Sequence, residues 1–149
     1  REGLSSLKRA NYVMINGKKN TNIENRIWSK NKEVKIFYTK YKAQNIDEFK
    51  NKKVTAFAGI GNPVNFFNLL KDNNIDIFEE ISFPDHYDYF GQELENLIYK
   101  AKENNTILLT TEKDFLRIEE NYKKNINYLK IVVEIENRNQ FIEEIKKVI

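Results

Sequence analysis

Val54-Thr55-Ala56-Phe57-Ala58-Gly59-Ile60-Gly61-Asn62-Pro63 holds a strand, a turn and the start of a helix in one stretch. The compact run Val54 to Ala58 predicts a buried strand. The two glycines stop it, and Pro63 suits a first helical turn, where its missing N–H costs nothing. Phe66, Phe67, Leu69 and Leu70 then make the apolar face of the helix. Strand, tight turn and helix in succession are the repeating unit of an α/β domain.

Outward from this stretch the alternation continues. Tyr12 to Asn16, ended by Gly17, predicts a buried strand, and Val34 to Tyr38 a second one. Phe78 to Phe83 predicts a strand that stops at Pro84-Asp85-His86. Leu94, Leu97, Ile98 and Ala101 recur at helical spacing. Ile107 to Thr110 is a further strand, followed by a short helix carrying Phe115 and Ile118. Leu129 to Ile135 predicts the last strand, and Phe141, Ile142, Ile145 and Val148 the last helical face. The expected class is α/β, with a largely parallel sheet flanked by helices. There is no repeat, low-complexity tract or linker, so residues 1–149 are expected to form a single domain.

Bulk properties narrow the function. The chain has 149 residues, 40% hydrophobic and 32% charged, enough for a globular core. Its net charge is only +3, and its lysine pairs, such as Lys52-Lys53 and Lys123-Lys124, are scattered. A nucleic-acid partner would call for a denser basic stripe, so none is expected. The chain has no cysteine, which excludes disulfides and thiolate metal sites and allows a cytoplasmic home. Its apolar runs are too short to span a bilayer. It begins Arg1-Glu2-Gly3-Leu4 rather than with Met, and is expected to be a piece of a longer protein.

Ligands in open α/β sheets sit beyond the C-terminal strand ends, and three polar clusters fall there. Gly59, Gly61 and Asn62 could let a ligand approach the backbone at a helix N-terminus, or could simply make a tight turn. The stretch lacks the Gly-Lys-Ser/Thr ending of a Walker A loop. Asp85 and His86, the only histidine, sit in a loop stiffened by Pro84. A carboxylate beside an imidazole can fix its tautomer, although a lone histidine is often structural. Thr111, Glu112, Lys113 and Asp114 follow the fifth strand. Thr111 is expected to cap the next helix, with Asp114 favouring its dipole, whether or not a ligand also binds. Arg1 and Glu2 could belong to a functional loop or to a frayed end.

In this order, the clusters resemble the C-terminal part of the tetraacyldisaccharide 4'-kinase family. The resemblance rests on Arg1 to Ala10, Val13 to Gly17, Ala56 to Pro63 with Phe66-Phe67, Phe83-Pro84-Asp85-His86, and Leu109 to Asp114. It covers residues 1 to about 114, with Gly3 standing where the family usually has Pro after Arg-Glu.

The resemblance implies transfer of the γ-phosphoryl of ATP to the 4'-hydroxyl of a lipid A disaccharide precursor. It further implies Mg²⁺, a P-loop-NTPase-like architecture and the cytoplasmic face of a bacterial inner membrane. Walker A loop, catalytic aspartate, metal-binding aspartates and membrane anchor would lie in an N-terminal half, which would also hold most of the ATP and Mg²⁺ contacts. The family pattern puts His86 beside that catalytic aspartate and makes Arg1 and Glu2 active-site residues. By the same pattern, Gly59, Gly61, Asn62, Asp85, Thr111, Glu112, Lys113 and Asp114 lie on substrate- or nucleotide-side loops, with no metal ligand among them. Two other readings stay open. One is a free-standing nucleotide- or sugar-phosphate-binding module, and the other an enzyme of another class with Asp85 and His86 as its acid–base pair. A Gly-Lys-Ser/Thr loop upstream of Arg1 would favour the kinase.

Overall fold

The structure, a computed structural model, describes residues 2–147. Arg1 and the Val148 expected on the last helical face lie outside the described residues. A single domain is expected from the sequence; the residues gather into two compact units, 43–132 and 1–42 with 133–149.

The first unit contains β1 (Tyr12–Asn16), α1 (Thr21–Trp28), most of β2 (Lys35–Ala43) and of β7 (Ile131–Ile135), and α6 (Arg138–Lys146). Strand order is β1-β2-β7, and β1 pairs parallel with β2. As the edge strand of this sheet, β1 is only half-buried, with Met14 and Asn16 exposed, where a buried strand is expected. Helix α1 is not among the elements expected from the sequence. Its signal is Asn20, whose side chain accepts the N–H groups of Asn22 and Ile23 at 3.0 and 3.2 Å. Before β1 a 3₁₀ turn spans Leu4–Arg9. Gly3 precedes it at φ −73°, close to the angle a proline would fix.

The second unit contains β3 (Lys53–Ala58), α2 (Pro63–Asp72), β4 (Asp76–Ser82), α3 (Gly91–Glu103), β5 (Ile107–Thr111), α4 (Glu112–Arg117), α5 (Glu120–Lys123) and β6 (Asn127–Leu129). Strand order is β4-β3-β5-β6, with every neighbour parallel. Central β3 is buried from Val54 to Ala58, whereas β4 at the edge alternates between covered and exposed positions. Alternate residues feed two cores. Val54, Ala56, Ala58 and Leu109 pack with Phe66, Phe67 and Leu70 of α2. Phe57 and Leu108 pack with Leu94, Leu97 and Ala101 of α3. Helices thus cover both faces, as expected for an α/β sheet. Buried threonines stay satisfied: Thr110 donates to the Phe57 carbonyl at 2.8 Å, and the Thr55 and Thr106 hydroxyls meet at 2.7 Å.

Two expectations need correction. The predicted strand Leu129 to Ile135 is two strands in different sheets, broken at Lys130. The Lys130 N–H donates to Asn45 Oδ1, and its carbonyl accepts the Gln44 N–H, both at 2.8 Å. Neither group is left for a ladder. Ile118 is not helical but extended, just past α4, and buried in the α3-side core. Among the described residues no helix is long and apolar enough to cross a membrane.

Candidate functional site

In the second unit β3 leads to β4 on one side, and β4 then crosses to β5 on the other. The order in which strands are added reverses between the parallel β3 and β5, so a crevice opens at their C-terminal ends, where α/β sheets bind ligands. The Gly59 turn leaves β3, the His86 loop leaves β4 and the Thr111 turn leaves β5. All three polar clusters of this unit converge there.

Aromatic packing holds the feet of the His86 loop. Phe83 stacks on Tyr87 with centroids 4.9 Å apart, and Tyr89 meets Phe83, Tyr87 and Phe57 edge-on at 5.2 to 5.5 Å. The Tyr87 hydroxyl donates to Glu93 at 2.6 Å; that bond, with burial and the charge of Glu93, raises its pKa. Above this base His86 adopts φ +60°, the left-handed region. Non-glycine residues are uncommon there, histidine less so than most. Its N–H donates to the Gly59 carbonyl at 3.1 Å, while its side chain is 69% exposed.

The polar neighbours of the imidazole differ from the expected Asp85–His86 pair. Asp85 Oδ1 lies 3.9 Å from Nε2, beyond hydrogen-bond reach. Lys113 Nζ is nearer, at 3.5 Å from Nε2 and 3.7 Å from Asp85 Oδ1. Lys113 reaches in from α4 to both side chains. An ammonium can only donate, so a hydrogen bond here requires the tautomer in which Nε2 accepts and Nδ1 carries the proton. The Nδ1–H is then a donor for an acidic partner. Among the described residues no group of three or more His, Cys, Asp or Glu could hold a metal. These side chains do not suit Mg²⁺.

The Gly59 turn fits the loops beside it closely. A Cβ at Gly59 would lie 2.7 Å from Tyr89 Oη, 3.1 Å from Tyr87 Cβ and 3.3 Å from the Pro84 carbonyl. At Gly61 the nearest neighbour is the Asp85 carboxylate, at 3.2 Å. The close backbone approach at Gly59 is therefore to the His86 loop. Gly59→Ala is expected to destabilise by about 1–3 kcal/mol, the usual range for overpacking. Gly61→Ala, opposite a partly exposed side chain that can swing away, should lose less. Chemical denaturation of both variants measures the difference. Asn62, the N-cap residue of α2, makes no side-chain capping bond.

Thr111 caps α4 as expected, accepting the Asp114 N–H at 3.1 Å. Asp114, expected on the ligand side, is 0% exposed. Its Oδ2 accepts the Gly59 N–H at 3.0 Å and the Thr111 hydroxyl at 2.8 Å. Arg117, absent from the sequence reading, lies 3.7 Å from Asp114 Oδ1 and donates to the Tyr87 carbonyl at 2.6 Å. Tyr89 was missed too. Burial, reinforced by the Asp114 charge, pushes its hydroxyl pKa far up. Glu112 stands in the first turn of α4, where an acid suits the helix dipole. Glu2 belongs to the first unit and pairs with the exposed Arg9.

Comparison with known proteins adds an independent line. The family model described as tetraacyldisaccharide-1-P 4'-kinase matches residues 1–149. The tetraacyldisaccharide 4'-kinase of Pelagibacter ubique is 35% identical over 150 residues, covering 99% of this chain and 48% of that protein. The Rickettsia akari protein of the same name is 43% identical over 105 residues, 70% of this chain and 31% of its own length. A crystal structure of LpxK from Aquifex aeolicus in complex with ATP superposes with a TM-score of 0.61 at 24% identity, over 99% of this chain and 45% of that one. This chain spans less than half the length of each of these relatives. With the family model matched from end to end, the chain belongs to the tetraacyldisaccharide-1-P 4'-kinase family.

Proposed function

We propose that this chain is the C-terminal part of a kinase that transfers the γ-phosphoryl of ATP to the 4'-hydroxyl of a tetraacyldisaccharide 1-phosphate lipid A precursor. The full-length protein acts with Mg²⁺ at the cytoplasmic face of the inner membrane. Its other half supplies the Walker A loop, the metal ligands and the membrane contact. The carrying observation is that His86, Lys113 and the Gly59–Asn62 turn meet at a switch-point crevice in a chain matched throughout by the kinase family.

Phosphoryl transfer needs positioning and charge neutralisation more than covalent chemistry. With Nε2 turned to Lys113, His86 offers Nδ1–H to the carboxylate that takes the hydroxyl proton, orienting it. Lys113 and the open N-terminus of α2 face the developing negative charge. Gly61, Asn62, Asp85, Thr111 and Glu112 shape the ligand-side rim, and Arg1 and Glu2 take part in catalysis in the full-length protein. Asp114 acts from beneath.

The isolated 149-residue chain is expected to show no ATP-dependent phosphorylation of the tetraacyldisaccharide 1-phosphate, because its sequence contains no Gly-Lys-Ser/Thr loop to cradle the β- and γ-phosphates. The full-length protein should phosphorylate it. Radiolabel transfer from ATP measures both, and a full-length protein that leaves this lipid unmodified overturns the proposal.

A further inference from the structure

We infer that Arg117, with the buried Asp114 behind it, is a positioning residue that holds the backbone of the His86 loop in its left-handed conformation. The inference rests on the reading of His86 as an active-site residue. The loop is fixed on both sides of His86. On one side its own N–H meets the Gly59 carbonyl at 3.1 Å, and the Gly59 N–H is held by Asp114 Oδ2 at 3.0 Å. On the other side the Tyr87 carbonyl accepts Arg117 Nη2 at 2.6 Å, and Arg117 Nη1 stands 3.7 Å from Asp114 Oδ1. Both anchors lead to the Asp114 carboxylate, and Arg117 Nη2 also stands 3.4 Å from the exposed Asp88 Oδ1. A residue at φ +60° persists only where its surroundings over-determine it, and these bonds supply that constraint.

The chemistry of the pair points the same way. Tyr89 Oη, Asp114 Oδ1 and Arg117 Nη1 are all buried without a hydrogen-bond partner among the described residues. A core selected for stability alone would fill this space with apolar side chains, since buried ion pairs are poor stabilisers. What this pair provides is direction. A planar guanidinium accepts only a narrow range of geometries at a carbonyl and a carboxylate.

The test is made in the full-length protein with Arg117→Met, which keeps much of the side-chain volume and removes the donor, and with Arg117→Lys. Arg117→Met is expected to lower kcat on the order of 10-fold, as a small misplacement of a catalytic group does. Its KM for ATP should stay within about 2-fold, because ground-state binding is untouched. Arg117→Lys should restore part of the loss. Combined with His86→Ala, Arg117→Met should cost almost nothing further, since a residue acting through His86 has nothing left to position. Additive losses, or a loss matching the unfolded fraction, overturn the inference. Amide hydrogen exchange of residues 83–88 supplies a readout that needs no turnover. Faster exchange in Arg117→Met than in wild type, at a temperature where both are folded, supports the inference, and unchanged exchange overturns it. A full-length protein without kinase activity sinks the proposed function and leaves the exchange comparison to decide this one.

Discussion

His86→Ala in the full-length protein is expected to lower kcat by about 10²-fold, the lower end of what positioned acid–base groups contribute, while KM for ATP changes little. The imidazole is mostly exposed and makes no core contact, so its removal should cost little stability. What disappears is a donor that orients a partner carboxylate as the hydroxyl proton leaves. Such an interaction strengthens in the transition state and therefore appears in kcat. The left-handed backbone at residue 86 calls for a second variant, because alanine tolerates φ +60° less well than histidine. Asparagine is at home there, and its amide can donate much as Nδ1–H does. His86→Asn should therefore retain more activity than His86→Ala at equal stability. Steady-state kinetics and thermal melting of both variants decide the matter. A wild-type kcat in His86→Ala would make the residue a turn former and nothing more.

Much of this site was legible because its signals are local. Val54 to Ala58 is a continuous apolar run, Gly59 and Pro63 punctuate it, and Thr111 precedes a helix with Asp114 three residues on. Those patterns locate strand ends, and the switch point follows from strand order. The unread features are the ones carried by long-range contacts. Arg117 sits at ordinary helical spacing from Asp114 and looks like a solvated basic residue. Its bond to the Tyr87 carbonyl spans 30 residues of chain. Lys130 falls inside an apolar run, and nothing nearby announces that Asn45, 85 residues away, will take its N–H. The Asp85–His86 pair shows the opposite error. Adjacency in sequence suggested a hydrogen bond, and Asp85 Oδ1 instead stands 3.9 Å from Nε2, with Lys113 Nζ 3.5 Å from Nε2 and 3.7 Å from Oδ1.

The largest stability effect should come from Asp114→Ala, expected to cost about 3–5 kcal/mol, as when a buried ion pair loses one partner. The carboxylate is fully buried and serves three groups at once: the Gly59 N–H, the Thr111 hydroxyl and the Arg117 guanidinium. Removing it strands a buried donor at Gly59, which by itself costs about 1–3 kcal/mol. It also leaves Arg117 Nη1 without the buried carboxylate, with only the exposed Asp88, 3.4 Å from Nη2, as counter-charge. Two comparisons isolate the cause. Thr111→Ala removes the helix cap and leaves the Asp114–Arg117 pair in place, so it should lose only about 1 kcal/mol. Glu2→Ala breaks an exposed pair with Arg9 and should lose less than about 1 kcal/mol. The decisive variant is the double change Asp114→Ala with Arg117→Met. Once the guanidinium is gone no unpaired charge remains, so the double variant should be destabilised by less than the sum of the two single changes. Denaturant unfolding of the four proteins measures the coupling. Strict additivity would mean that Asp114 stabilises the fold through the Gly59 turn alone, with Arg117 contributing nothing to that carboxylate.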